Sequence, residues 1–421
     1  MHKDLKYLWL PYTQMQDIGK PILAAKTKEC NIVLENGKVL IDSISSWWTS
    51  CLGYNNPFIL KAVSKQLNTM PHVMFGGLIH KQAVSLSKKI TSLMQNDLEK
   101  VFFVDSGSVS VEVALKMAIQ FWINKGHKEK KSFIHFRNGY HGDTAGAMSV
   151  CDPDEGMHSI FGDYLNKNFF LDLPFNKELE NNLETVLKKN QNRIAGIIVE
   201  PLVQCAGGMK IYPPKVLNKI YQLKKKFKTL LILDEIATGF GRVGTMFAFH
   251  QTKVKPDIVC IGKGLSGGII SLSATVSKKK IFNAFLGKKE NIEFMHGPTY
   301  MANPLACSAA NATLDYIKSN NILNKVKKIE KYFADNLTKF HKYSFVNSTR
   351  YIGAIGVIEL ADINKKQLKW LRNEYIKRGI WARPLRNVIY FMPPFVIKKN
   401  QLNKIFQVTK EIFNLWQKKK L

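Results

Sequence analysis

The chain has 421 residues and a mass of 48.0 kDa, too long for one small core and suited to about two domains. Hydrophobic residues make up 45% and aromatics 11%, enough to bury a large core, so wholesale disorder is excluded. The 62 Lys and Arg against 32 Asp and Glu give a formal charge of +30. That raises nucleic acid as a partner, but the lysine runs at 224–226, 278–280 and 418–420 are scattered and lack interleaved aromatics. No nucleic-acid-binding module is present, so the competing reading is compositional drift toward Lys on a solvated face, a basic surface that also favours anionic small molecules.

The opening stretch MHKDLKYLWLPYTQ has no apolar core of signal-peptide length. No run reaches the roughly 18 apolar residues of a membrane span. Residues 28–42 (KECNIVLENGKVLID) predict a hairpin turning at Asn36-Gly37. A series of short apolar runs follows, each ending in polar or glycine punctuation. VFFV (101–104) precedes DSGS and a helical repeat of Val113, Met117 and Phe121. FIHF (133–136) precedes RNGYHGD, IAGIIVEP (194–201) a Gly-Gly loop, and LLILDE (230–235) ATGFGRVG. DIVCIGKG (257–264) precedes a second Gly-Gly and then GIISLSATV, which reads as a strand.

Near-continuous apolar runs mark strands covered on both faces, and their alternation with helices predicts an α/β fold with a mostly parallel sheet. Residues 320–421 carry amphipathic helices such as ILNKVKKIEKYFADNLTKF and short strands such as GAIGVIEL. The expected organisation is a large domain over 50–315 and a smaller α+β domain built from 1–49 and 316–421. The six cysteines (Cys30, Cys51, Cys151, Cys205, Cys260, Cys307) show no C-x-x-C pair. Neither a disulfide framework nor a zinc site is expected, and a cytoplasmic protein is.

Two segments match G-x-G-x-x-G, at 239–244 and 262–267. Neither opens a long helix after the first strand of a βαβ unit, so a nicotinamide or flavin site is disfavoured. A different chemistry fits better. A phosphorylated pyridine aldehyde needs a lysine, a carboxylate at its ring nitrogen, an anion site and a flat cover. Each is available where an apolar run ends. Ser106-Gly107-Ser108 can meet an anion at a helix N-terminus, or simply cap that helix. Asp234 closes LILD and needs a partner, either a pyridinium or a cation. Glu235, by strand alternation, faces away. Lys263 closes an apolar run between Gly262 and Gly264, where burial would make its amine a nucleophile. Tyr140 can cover a ring or pack in the core, and His141 reads as a satisfied loop histidine.

These segments together resemble the class III, fold-type-I pyridoxal-phosphate aminotransferases. The resemblance rests on SGSVSVEVALKMA, FRNGYHGDTAGAMSVCDP, LDEIATGFGRVG, GKGLSGG and MHGPTYMANPLACSAANA. WLPYTQM, DSISSWWTSCLGYNNP, HVMFGGLIH and WARPLRNVIYFMPP are similar to the branch of that family that aminates 8-amino-7-oxononanoate in biotin synthesis. It runs in order from about residue 9 to about 396.

The resemblance implies pyridoxal 5'-phosphate as cofactor. It puts phosphate contacts at Gly107 and Ser108, the stacked ring at Tyr140, the ring-nitrogen carboxylate at Asp234 and the covalent link at Lys263. It implies that Gly297 lines the substrate path and that Pro298 and Thr299 reach the cofactor phosphate of a second subunit in a homodimer. Arg383 holds the keto acid's carboxylate, Trp47 walls the substrate pocket and Tyr12 recognises substrate. The implied amino donor is S-adenosyl-L-methionine, and an ω-amino-acid or ornithine-type aminotransferase is the alternative within the class. Two positions depart from the family pattern: Leu10 replaces a histidine and Cys205 a glycine. Arg242 is either a substrate-orienting residue or a loop arginine paired with Asp or Glu.

Overall fold

The computed structural model describes residues 5–18, 20–94, 98–155, 157–288 and 290–419. Near the start, β1 (Ala24–Lys28), β2 (Asn31–Leu34) and β3 (Val39–Asp42) form an antiparallel meander. The turn between β2 and β3 holds Asn36-Gly37. Leu34 N donates to Lys38 O at 2.8 Å, and Gly37 takes a φ of +81° that only glycine adopts freely.

The central strands are β4 (Leu98–Val104), β5 (Ser132–Phe136), β6 (Phe169–Leu171) and β7 (Ile194–Val199). After the short hairpin of β8 (Val203–Gln204) and β9 (Lys210–Ile211) come β10 (Leu230–Asp234), β11 (Ile258–Ile261) and β12 (Ser273–Lys278). Seven of them form one sheet in the order β4-β12-β11-β10-β7-β5-β6. Every residue of β7, β10 and β11 is buried, which is why these strands read as unbroken apolar runs. The pairings are parallel except those of β12, which runs against both neighbours. The link over 262–272 is too short for the crossover that a parallel return needs. The helix Gly107–Asn124 buries Val113, Met117 and Phe121 and packs on β11 and β12.

Toward the end of the chain, β13 (Val346–Ile352), β14 (Ile355–Leu360) and β16 (Val388–Phe391) make an antiparallel sheet. The two-residue β15 (Ile380–Trp381) leaves it and pairs in parallel with β3. Segments from both ends of the chain therefore share one sheet. The helices Ile322–Leu337 and Lys399–Lys419 cover this region through rings such as Phe333, Phe406 and Phe413, joined by Phe340 from the 3-10 turn Thr338–Phe340. All six cysteines are buried and free.

One buried carboxylate ties the sheet to its flanking helices. Asp257 is fully buried just before β11 and accepts from Leu231 N at 2.9 Å. Burial alone would raise its carboxyl, but Lys224 at 2.5 Å and Lys280 at 2.6 Å hold it below the ordinary carboxylate range. A depressed carboxyl contributes stability above its unfolded value of about 3.9 and loses it as pH falls through the folded value. Asp257→Asn strands the buried Lys224 and takes the partner from the more exposed Lys280. It should lower the unfolding free energy at pH 7 by about 3 kcal/mol, read as a drop in urea midpoint. The gap between variant and wild type should narrow in acid below about pH 4; an equal midpoint at pH 7 contradicts the assignment.

Candidate active site

A cavity of about 390 Å³ opens at the carboxyl ends of β4, β10 and β11. Its first wall is the mouth of the helix Gly107–Asn124, whose free N–H groups and dipole favour an anion. Ser106 is the N-cap and accepts from Val109 N at 3.4 Å. Ser108 and the glycines shape the cradle. The Ser108 hydroxyl accepts from Asp143 N at 3.0 Å. A Cβ on Gly142 would lie 2.2 Å from Ser108 Oγ, and one on Gly107 would lie 3.0 Å from Ile236 Cγ2. Side chains there would fill the space that the helix mouth faces.

The second wall is Asp234 at the end of β10. Its Oδ1 accepts from Ile236 N at 3.0 Å, and Oδ2 lies 2.7 Å from His141 Nδ1. The expected satisfied loop histidine is thus a buried partner of the Asp234 carboxylate, because the turn 137–142 folds over the end of β10. Glu235 does face away: it accepts from Phe249 N at 2.9 Å and from the Thr238 hydroxyl, and burial pushes it up to about 7.

Lys263 follows β11 with φ at +32°, in the left-handed region that L-residues rarely adopt. It is half-buried, not buried as expected, since the cavity opens beside it. Its Nζ lies 4.8 Å from the Trp48 ring centroid. Among the described residues no carboxylate lies within ion-pair distance of it. Gly262 lets the backbone approach, since a Cβ there would sit 2.5 Å from Ser273 Oγ.

Tyr140 lines the same cavity. Its hydroxyl donates to Asp143 Oδ1 at 2.8 Å, and Tyr12 donates to Asp143 Oδ2 at 2.5 Å. Burial, with both hydrogen-bond partners, pushes the Tyr140 phenol well up, and burial raises Tyr12 to about 12. A residue not anticipated from sequence holds the backbone here. Glu200 follows β7 and accepts from Tyr140 N at 3.1 Å and from Cys205 N at 2.9 Å. Burial raises it to about 7. The signal was present: Glu200 closes IIVE as Asp234 closes LILD.

On the outer rim, the Arg383 guanidinium lies 5.0 Å from the Trp47 ring, and Trp47 meets Tyr12 edge to face at 6.1 Å. Arg242 is buried and, among the described residues, pairs with neither Asp nor Glu, contrary to the second expectation for it. The bend at 393–395 surrounds it: it donates to Pro393 O at 2.8 Å, lies over Phe395 at 4.5 Å, and burial lowers it to about 10. Burial and Glu200 push the Cys205 thiol well above its ordinary value, so it is no nucleophile; Leu10 is half-buried. Gly297, Pro298 and Thr299 do not line this chain's cavity; they lie on the surface segment before the helix Pro304–Ser319.

An anion cradle emptied by glycine, a carboxylate without a lysine partner and an amine without a carboxylate fit pyridoxal phosphate. The family described as aminotransferase class-III matches residues 13–413. A curated relative from Buchnera aphidicola subsp. Acyrthosiphon pisum, named adenosylmethionine-8-amino-7-oxononanoate aminotransferase, is 42% identical over 98% of this chain and 97% of its own. The solved structure of a protein of the same name from Methanocaldococcus jannaschii superposes with a TM-score of 0.92 at 31% identity, covering 97% and 98% of the two chains. An amine transaminase from an uncultivated Pseudomonas species, solved in its PLP-bound form, superposes at 0.90 with 27% identity over 97% and 98%.

Gly142→Ala should drive Ser108 out of the helix mouth. Pyridoxal phosphate affinity, read by fluorescence titration, should fall at least about tenfold; unchanged affinity contradicts an anion site there.

Proposed function

This chain belongs to the class III aminotransferases, and from that premise we propose that it transfers an amino group from S-adenosyl-L-methionine to 8-amino-7-oxononanoate, giving 7,8-diaminononanoate for biotin synthesis. Its relatives carry the name of that reaction over nearly their full length. The observation that carries the reading is the convergence of Lys263, Asp234 and the Ser106–Ser108 helix mouth on one cavity.

Pyridoxal phosphate, when bound, supplies an aldehyde that takes up an amine and a ring that takes up the electron pair left by a departing proton. Gly107 and Ser108 offer an N–H and a hydroxyl to its phosphate. Asp234, braced by His141, holds a proton at the ring nitrogen and so keeps the ring an electron sink. Lys263 Nζ would hold the group covalently and, when free, would take the proton from the donor's α-carbon and deliver one to C7 of the keto acid. Tyr140 would cover the ring, and Tyr140, Tyr12 and Asp143 would orient the substrate amine. Trp47 and Trp48 suit an apolar chain, and Arg383 offers a carboxylate a fork of donors.

The same reading makes the protein a cytoplasmic homodimer. Tyr7, Trp9, Ile79 and Met295 are each more than 70% exposed, apolar surface of the kind a subunit interface buries. A second copy that covers it would bring Gly297, Pro298 and Thr299 to the neighbouring cavity. No helix of the described residues is long and apolar enough to cross a membrane.

The test is a half-reaction series: each candidate donor is offered to the cofactor-loaded enzyme, and 8-amino-7-oxononanoate is then added. Diaminononanoate should form with S-adenosylmethionine as donor; turnover of ornithine or β-alanine in its place overturns the reading. Arg383→Ala should raise KM for the keto acid about tenfold or more with a smaller change in kcat. An unchanged KM removes its role.

A further inference from the structure

Four consecutive non-glycine residues, Ser45, Ser46, Trp47 and Trp48, hold φ between +49° and +74°. L-residues visit this region singly, because Cβ crowds the following carbonyl. A whole left-handed turn persists only where its surroundings over-determine it. Those surroundings converge on one carboxylate at the end of β3. Asp42 Oδ1 accepts from Ile44 N at 2.8 Å; Oδ2 accepts from Ser46 N at 2.8 Å and from the Tyr54 hydroxyl at 2.6 Å. Asp42 is fully buried, so the acceptor end of each of these bonds is shielded from water. Ser45 adds a second anchor by donating to Met392 O at 2.6 Å.

The turn sends two adjacent indoles to two different stations. Trp47 is 40% exposed and lies under Arg383 at the outer rim. Trp48 is buried, with Lys263 Nζ 4.8 Å from its ring and Tyr390 meeting it edge to face at 6.2 Å. A right-handed turn of the same residues would point both Cβ atoms elsewhere, and at least one station would empty.

We propose that Asp42 is a positioning residue for specificity: by clamping the left-handed turn Ser45–Trp48 it sets both tryptophans, one ring under Arg383 and the other beside Lys263. The idea rests on the substrate reading above and deepens it. Asp42 touches no substrate. It acts through backbone geometry, so its loss is repaired by a change that relaxes the backbone and not by one that restores charge.

The experiment compares wild type, Asp42→Asn and Asp42→Asn with Ser46→Gly, all as cofactor-loaded enzyme. Asparagine turns one acceptor into a donor that faces an N–H or hydroxyl. KM for the keto acid should rise about tenfold or more, with kcat changing less than about threefold. Near-UV circular dichroism of the tryptophans should change as well. Glycine adopts positive φ without steric cost, so Ser46→Gly should recover a threefold or larger share of the KM loss and the wild-type dichroism. Wild-type KM and dichroism in Asp42→Asn would overturn the proposal. So would a lowered urea midpoint with no recovery by Ser46→Gly, which marks a merely structural carboxylate. Tyr54→Phe removes one donor only and serves if Asp42→Asn does not fold; an unchanged KM and dichroism there also overturns it. If wild type does not turn over the keto acid, the substrate reading fails by itself, and the dichroism arm still decides the clamp.

Discussion

The active site depends on keeping two opposite charges from neutralising each other. Lys263 and Asp234 open on one cavity, at the ends of the paired strands β10 and β11. In a partly buried setting a lysine and a carboxylate gain energy by pairing, and a paired lysine is neither a nucleophile nor a base. Each is held by something else. Asp234 is fixed by His141 and by Ile236 N. Lys263 sits on a left-handed backbone with its amine over Trp48. The aromatic face lies beside the amine and offers it no carboxylate, and the cavity that the two groups share has room for pyridoxal phosphate.

The fold follows from the same economy. A sheet with both faces covered favours charged side chains at strand ends, where the chain leaves the core. Asp234, Glu200 and Lys263 all stand at such exits, and the helix mouth at Ser106–Ser108 faces the same opening. β3 delivers Asp42 in the same manner from the terminal sheet, and the turn behind it brings two indoles toward the cavity. Groups from distant parts of the chain thus meet in one place because each is expelled from a buried strand at its carboxyl end.

That rule also explains what could be read from the chain and what could not. VFFV, IAGIIV, LLILD and DIVCI were legible as buried strands because unbroken apolar runs have few other uses in an α/β protein. The antiparallel direction of β12 was not, since it depends on the length of a link and not on composition. Asp234 and Lys263 stood out as charges that end apolar runs. His141, Glu200 and Asp42 did not stand out as partners, because their partners are close only in space: His141 and Asp234 are 93 positions apart. The surroundings of Arg242 are hidden in the sequence for a related reason. Its partners are backbone carbonyls at 354 and 393, and carbonyls leave no mark in a sequence.

The most direct measurement is chemical. The enzyme is loaded with pyridoxal phosphate, reduced with borohydride, digested and mapped by mass. The account predicts one stoichiometric adduct, on the peptide that contains Lys263, and none there after Lys263→Ala. An adduct on a different lysine, or one spread over the many surface lysines with position 263 unmodified, would contradict it.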